Sequence, residues 1–147
     1  LAEKAKAIRA VVPKVTDDLA MRLHFFGKAA PELAGEAKAQ LDADEARLRA
    51  IQNPDGSWSF PPGVGDGVGA WRRAAEPGDP APTALAVLAL VERGAPRDDP
   101  AVARGVAALL AMQAPNGRWN KAAQTGFVTT AYVLHALAAV APAPQAG

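Results

Sequence analysis

Few residues in this chain have a type and spacing that could do chemistry, and the most suggestive are two adjacent carboxylates, Asp17 and Asp18. A carboxyl group that keeps its proton can act as a general acid. The plainer interpretation is the beginning of a helix, where Thr16 caps the helix and the macrodipole favours negative charge. The two histidines, His24 and His135, lie far apart in sequence, without metal-ligand spacing. We therefore expect no metal site, and we interpret both histidines as surface residues or hydrogen-bonded core residues.

Other patterns with a possible chemical meaning have plainer explanations. Asp98 and Asp99 precede a helix and need no further role. The glycine-rich stretch 63–69 follows two prolines and lacks the Lys-Ser/Thr of a phosphate-binding loop. Arg72 and Arg73 form too small a basic patch for nucleic acid, and a net charge of +1 gives no attraction to it or to anionic lipid. The sequence therefore predicts no cofactor and no nucleic-acid partner.

Composition favours one helical domain. Apolar residues make up 50% of the 147 positions and aromatic residues only 5%, and alanine is the main apolar residue, which suits closely packed helices better than sheets. The absence of cysteine excludes disulfides and thiolate metal sites within this chain. No apolar run reaches the ~18 residues that a membrane-spanning helix needs. The compartment stays open, and because the first residue is Leu1 we expect a processed product or a piece of a longer protein.

The strongest pattern in the chain is a repeated turn. The stretch Gln52–Trp58 (QNPDGSW) recurs as Gln113–Trp119 (QAPNGRW), at a spacing of 61 residues. Each copy ends an apolar helical stretch and passes through Pro, Asp or Asn, and Gly to a tryptophan. Self-similarity of this kind indicates a repeat architecture.

Hydrophobic patterning around these turns predicts about six helices. They alternate between helices that are apolar on one face and helices that are apolar nearly all round, as expected for the outer and inner layers of a helical repeat. The segment 59–82, rich in proline and glycine, predicts an irregular loop. A frayed tail or linker, 142–147, is predicted after a domain that spans 1–141. The predicted helices cover about 1–12, 16–27, 31–51, 83–92, 98–112 and 126–140.

Two of these helices can be oriented from their sequences. In the second helix, Leu19, Leu23 and Phe26 form the buried stripe. The third helix places its many Glu, Asp, Lys and Arg residues on an outer face toward solvent.

The order of these parts resembles the Gln-Trp repeat of squalene-hopene cyclases, in which an outer helix ends in Gln, a Pro-Asp/Asn-Gly-x-Trp turn follows, and an inner helix carries Thr-Ala. Oxidosqualene cyclases share this repeat, and protein prenyltransferase β subunits carry relatives of it. The resemblance covers most of the chain and implies an all-α fold, a partial α/α toroid with half of the helices of an α6/α6 barrel. It also implies that the turn residues are structural and not catalytic. These residues are Gln52, Gly56, Trp58, Gln113, Gly117 and Trp119.

The same resemblance gives the two carboxylates a second interpretation. Catalysis in the cyclases uses an Asp-x-Asp-Asp-Thr-Ala motif, whose middle Asp protonates the polyene. The segment Val15–Ala20 (VTDDLA) stands at the corresponding place, which implies Asp17 as the general acid and Asp18 as the last Asp of the motif. Val15 replaces the first Asp and Leu19 replaces the Thr. Because protonation of an alkene needs an acid with preorganised neighbours, these departures predict an eroded acid site.

The sequence leaves three functions open. Leu85 stands where the family has a histidine that hydrogen-bonds the acid, and few aromatic residues remain to line a cavity that stabilises cations. We therefore predict first a non-catalytic scaffold or binding module, whose exposed inner-helix surface is completed by the rest of a longer chain or by other subunits. The alternative is a divergent class II terpene cyclase, or a fragment of one, that uses Asp17. A further alternative is a carrier that holds an apolar isoprenoid ligand without chemistry.

Overall fold

The computed structural model describes residues 2–29, 31–60, 63–64, 71–72, 78–119 and 126–142. Six α-helices fall within these ranges, as the sequence predicts. A π-helical turn, Phe25–Ala29, follows the second helix, and a 3-10 turn, Pro31–Leu33, precedes the third. The helices are α1 (Ala2–Ala10), α2 (Thr16–His24), α3 (Ala34–Ala50), α4 (Pro80–Glu92), α5 (Pro100–Ala111) and α6 (Gly126–Val140).

The helices form two layers. In the inner layer α4 packs against both α2 and α6, while in the outer layer α3 packs on α2 and α5 packs on α4. The core lies between the layers and consists mainly of Leu, Ala and Val side chains. Inner and outer helices alternate along the chain, so the predicted all-α class and partial α/α toroid are confirmed.

Helix α4 is buried on nearly all sides because its sequence is apolar nearly all round. Every residue from Thr83 to Leu90 is buried, as predicted for this segment. The helix begins at Pro80, earlier than the predicted start at Thr83. Two prolines fit in its first turn because the N–H groups there have no intrahelical acceptor to lose. The predicted irregular loop therefore ends before Pro80.

Helix α2 begins differently from its prediction. Thr16 does not cap the helix: Val15 has the extended N-cap conformation, and the Thr16 hydroxyl donates to the Ser59 carbonyl at 2.7 Å. The Asp18 carboxylate instead accepts the backbone N–H groups of Lys14 and Val15, at 2.7 and 3.2 Å. The predicted buried stripe is confirmed and consists of Leu19, Leu23 and Phe26.

Helix α3 carries a buried acid. Asp44 is 3% exposed and faces Arg22 of α2, which is 5% exposed. Arg22 Nε and Nη2 donate to the two Asp44 oxygens at 2.6 and 2.8 Å, and its Nη1 donates to the Val11 carbonyl at 2.6 Å. The prediction that the charges of this helix face solvent is therefore wrong at Asp44, where two hydrogen bonds from a positively charged partner make burial tolerable.

Much of the predicted irregular loop, 59–82, and the end of the predicted tail lie outside the described residues. Two short strands lie inside the loop, β1 (Gly63–Val64) and β2 (Trp71–Arg72), and they pair antiparallel with Gly63 opposite Arg72. The division between a 1–141 domain and a 142–147 tail stays a prediction. Across the part of the chain that the structure describes, no helix has the length and hydrophobicity to cross a membrane.

Candidate functional site

Asp17 lies at the position that the sequence singles out for a general acid, in the first turn of α2. Its Oδ1 is buried and has no hydrogen-bond partner among the described residues. Burial, followed by the negative charges of Asp18 and Asp79, raises the pKa of Asp17 from 3.8 to about 6. Asp79 is the N-cap residue of α4, so a carboxylate at the beginning of one inner helix acts on Asp17 at the beginning of the adjacent one. Asp17 therefore keeps its proton in mildly acidic solution, which is the state a general acid needs.

The histidines do not support this acid. His24 Nδ1 is hydrogen-bonded to Glu92 Oε2 at 2.5 Å, near the far end of α2 from Asp17. His135 is exposed on α6. In the described ranges, no group of three or more His, Cys, Asp or Glu residues could hold a metal ion.

The other residues that the resemblance compares with the acid motif and its histidine have roles in the fold. Asp18 accepts the two backbone N–H groups at the beginning of α2. Leu19 and Leu85 are buried in the core, and their side chains offer no hydrogen bond to a carboxyl group. The described part of the site therefore consists of Asp17 and its two like-charged neighbours.

Asp17→Asn should stabilise the protein above pH 6 and not below pH 3.8. The pKa of Asp17 is about 6 in the folded state against 3.8 unfolded, so the folded state binds the extra proton between these values. The wild type therefore loses stability as pH rises through this window, and the amide, which cannot ionise, does not. Thermal melting followed by circular dichroism at a series of pH values should show a higher midpoint temperature for the variant than for the wild type only at pH values above the window.

Asp18→Asn is the matched control for this prediction. Its carboxylate accepts two backbone N–H groups, so weakening that acceptor should lower the midpoint temperature above pH 6. Identical melting of the wild type and Asp17→Asn at every pH would contradict the raised pKa.

The stretch Gln52–Trp58, which we name the first corner, ties the end of α3 to the beginning of α4. The Trp58 indole is fully buried, and its Nε1 donates to the Leu48 carbonyl at 2.8 Å. The backbone N–H of Trp58 donates to the Thr83 hydroxyl at 2.9 Å. Gln52 Nε2 closes the turn by donating to the Gly56 carbonyl at 2.9 Å.

The stretch Gln113–Trp119, the second corner, repeats these contacts position for position. Trp119 Nε1 donates to the Leu109 carbonyl at 2.5 Å, and its backbone N–H donates to the Thr130 hydroxyl at 3.5 Å. Gln113 Nε2 donates to the Gly117 carbonyl at 3.0 Å. The sequence repeat is thus a repeat of hydrogen bonds. The structural role predicted for these residues stays a prediction, which the contacts support.

The two corners differ in what covers them. Gln52 is 1% exposed, because its Nε2 also donates to the Ala101 carbonyl of α5 at 2.9 Å and its Oε1 accepts from Arg104 Nη2 at 2.6 Å. Gln113 is exposed. An outer helix therefore closes the first corner, while the second corner is open.

Gly56→Ala should destabilise the protein more than Gly117→Ala. Both glycines have positive φ, 88° and 78°, so each alanine costs about 1–2 kcal/mol of backbone strain. A Cβ on Gly56 would also lie 2.4 Å from the Arg104 carbonyl oxygen, whereas the nearest atom to one on Gly117 is 3.9 Å away. This overpacking should add about 1–3 kcal/mol to the loss at Gly56. Urea denaturation of both variants measures the difference. Equal losses in the free energy of unfolding would mean that α5 does not pack closely against the first corner.

A contiguous surface without Asp, Glu, Lys or Arg is exposed on α6, opposite its buried residues. Alignment of Thr-Ala at 130–131 with Thr-Ala at 83–84 places Tyr132 and Leu134 at the positions of Leu85 and Val87. On α4 these positions are 6% and 0% exposed, whereas on α6 they are 38% and 55% exposed. We name this surface the α6 face. It consists of Val128, Ala131, Tyr132, Leu134, His135 and Ala138.

An apolar groove of about 250 Å³ lies at the other end of the inner layer, and we name it the α1/α2 groove. Its two charged residues have partners within the chain, because Asp18 accepts backbone N–H groups and Arg22 is paired with Asp44. The groove is lined by Ile8, Val11, Asp18, Met21, Arg22 and Phe25.

Sequence reasoning anticipated an exposed inner-helix surface in a partial ring, but it missed the groove and the third carboxylate near Asp17. The groove depends on how α1 lies against α2, for which the sequence has no marker. The third carboxylate did have a marker in the sequence, because Asp79 followed by Pro80 is a signal for the beginning of a helix. That signal would have placed an acid at the beginning of α4, beside α2.

Comparison with known families gives one result. Residues 28–142, more than half of the chain, match the squalene-hopene cyclase C-terminal domain family. The matched range contains both corners and begins after α2, so it does not include Asp17 or Asp18. Searches of curated proteins and of solved structures return no significant match.

Proposed function

The chain belongs to the squalene-hopene cyclase C-terminal domain family, as its sequence predicts, and from this premise we propose that it is a non-catalytic helical repeat module. In this role it acts as a scaffold or binding domain within a larger protein or assembly. The observation that carries the proposal is the α6 face, an inner-helix surface without Asp, Glu, Lys or Arg that is exposed where the same positions of α4 are buried. Exposed apolar surfaces of this kind mark interaction sites.

The surroundings of Asp17 support the non-catalytic role. An acid strong enough to protonate an alkene needs groups that stabilise its conjugate base. The groups that act on Asp17 are two further carboxylates, Asp18 and Asp79, which oppose its ionisation. Leucine occupies the place of two of the hydrogen-bonding residues that the family resemblance implies, at Leu19 and Leu85.

Turnover of squalene and of shorter polyprenols tests the proposal. The purified chain and its Asp17→Asn variant are incubated with each substrate on both sides of pH 6, and products are analysed by gas chromatography and mass spectrometry. We expect no cyclised product from either protein. Cyclised product from the wild type that disappears in the variant would reject the non-catalytic role.

A divergent class II terpene cyclase is the second candidate, and the buried, unpartnered Oδ1 of Asp17 is the observation that favours it. With its pKa raised to about 6, Asp17 would hold a proton in mildly acidic solution and could donate it to a terminal alkene carbon. Because the acid must be protonated, turnover in this case would fall as pH rises through 6. Asp17→Asn would abolish it while the helical circular-dichroism signal stays unchanged.

The isoprenoid carrier that the sequence leaves open has less support. A cavity of about 600 Å³ lies between α1 and α3, and its lining includes four charged residues. Such a lining does not suit a hydrocarbon chain, because charges turned toward it lose their hydration. Retention of an isoprenoid by the purified chain in native mass spectrometry would argue for the carrier. The charged residues are Glu3, Lys6, Arg9 and Glu36.

A further inference from the structure

We propose that the α6 face of one copy of this chain binds in the α1/α2 groove of a second copy. The inference rests on the proposed scaffolding role, because it identifies the partner that the exposed face takes. A ridge and a groove, both largely apolar, lie at opposite ends of one inner layer, α2–α4–α6. A contact between them continues the packing that already joins these helices within the chain.

The chain itself shows how an inner helix is covered. Helix α4 packs against α6 and against α5. Its contact with α5 is close, because a Cβ on Gly105 would lie only 2.5 Å from Val87 Cγ2. The inner helix α4 thus packs against the outer helix and the inner helix that follow it in the chain, α5 and α6. Leu134 stands at the position of Val87 in the repeat, and it is 55% exposed.

A second copy offers the same order of helices at its other end. Helix α1 lies beside the outer helix α3, since Gln40 Nε2 donates to the Arg9 carbonyl at 2.9 Å and Arg9 pairs with Glu36 at 3.6 Å. Helix α1 precedes the inner helix α2, as α5 precedes α6. The pair α1 and α2 of a second copy can therefore take the place beside α6 that α5 and α6 take beside α4.

The charges at the two surfaces permit this contact. The α6 face has no Asp, Glu, Lys or Arg. In the groove, Asp18 and Arg22 are hydrogen-bonded within their own copy. Docking therefore buries mainly apolar side chains, together with the His135 imidazole, and it buries no Asp, Glu, Lys or Arg that lacks a partner, which would be costly. Met21 contributes an exposed thioether side chain to the groove, a flexible group that adapts to a partner.

Sedimentation velocity of the whole chain over a wide concentration range tests the contact. We expect the wild type to self-associate as concentration rises. Leu134→Glu should weaken association about tenfold or more, because it places an unpaired carboxylate in the contact. Leu110→Glu is the matched control: Leu110 is also 55% exposed but lies on α5, so this variant should associate like the wild type. A wild type that stays monomeric at every concentration would overturn the proposal.

A mixing experiment separates this contact from pairing of two α6 faces. Met21→Lys should weaken self-association as Leu134→Glu does, and a mixture of the two variants should recover it, because the intact α6 face of the Met21→Lys variant can bind the intact groove of the Leu134→Glu variant. Association unchanged by Met21→Lys would mean that α6 faces pair with each other, which overturns the groove. Circular dichroism confirms that each variant folds. The turnover assay tests the non-catalytic role independently, so failure of one proposal is distinguishable from failure of the other.

Discussion

Trp58→Ala should lower the free energy of unfolding by about 3–5 kcal/mol. The indole is fully buried, and the Cζ3 atom lies 3.0 Å from where a Cβ on Gly105 would stand. Truncation would leave a cavity between the layers and an unpaired Leu48 carbonyl, which now accepts from Nε1 at 2.8 Å. Urea denaturation followed by circular dichroism measures the loss.

Two variants control this prediction. Trp58→Phe keeps most of the ring and loses the hydrogen bond, so it should cost less than alanine. Trp119→Ala removes the equivalent indole from the second corner, whose Gln113 is exposed. We expect a smaller loss there, because an open corner can collapse into the space more easily than a closed one. A loss below about 1 kcal/mol for Trp58→Ala, the typical effect of a point substitution, would show that the first corner does not hold the layers together.

The repeated turns were predictable because their chemistry is local. Seven residues contain the whole pattern: a Gly follows Asp or Asn, and the Trp lies two positions beyond the Gly. Both copies fold alike, because Gly56 and Gly117 have positive φ angles of 88° and 78°. What covers each turn is not local. The second acceptor of Gln52 is the Ala101 carbonyl, 49 residues away, and no property of the Gln-Trp pattern indicates it. The family and fold followed from the turns, whereas the closed and open corners required the structure.

For the candidate acid, too, the sequence predicts the position in the helix but not the tertiary surroundings. The charge pattern placed Asp17 in the first turn of a helix, and α2 begins there. The pattern could not give the burial that is the main cause of its raised pKa, because that burial comes from tertiary packing. Thr16 failed as a predicted cap for a related reason: its hydroxyl donates to Ser59, 43 residues later, in place of the local backbone.

The difference between α4 and α6 links the fold to the proposed function. Both helices are apolar nearly all round, and sequence alone predicts burial for both. In the part of the chain that the structure describes, α4 packs against inner helices on both sides, α2 and α6, whereas the inner helix that packs closely on α6 is α4. The exposed α6 face therefore differs from the same positions of α4 in what packs on it and not in composition, and this difference is the basis of the proposed interaction.

Asp44→Ala should also lower the free energy of unfolding by about 3–5 kcal/mol, because it leaves Arg22 charged and without its partner inside the protein. The two side chains are each about 4% exposed, and they share two hydrogen bonds of 2.6 and 2.8 Å. Salt should change this loss little, since buried pairs are weakly screened. The exposed Asp42, which pairs with Lys38 and with Arg93, is the contrast: we expect Asp42→Ala to lower the stability far less than Asp44→Ala does, and salt to reduce that loss.

The double variant Arg22→Met, Asp44→Leu distinguishes the worth of the ion pair from the penalty for breaking it. Removal of both charges leaves no unpaired ion, so most of the stability lost in Asp44→Ala should return. The double-mutant cycle then gives a large coupling energy, although the pair itself adds little net stability. Arg22 Nη1 also donates to the Val11 carbonyl at 2.6 Å, so the double variant loses this hydrogen bond as well, and that part of the loss should not return.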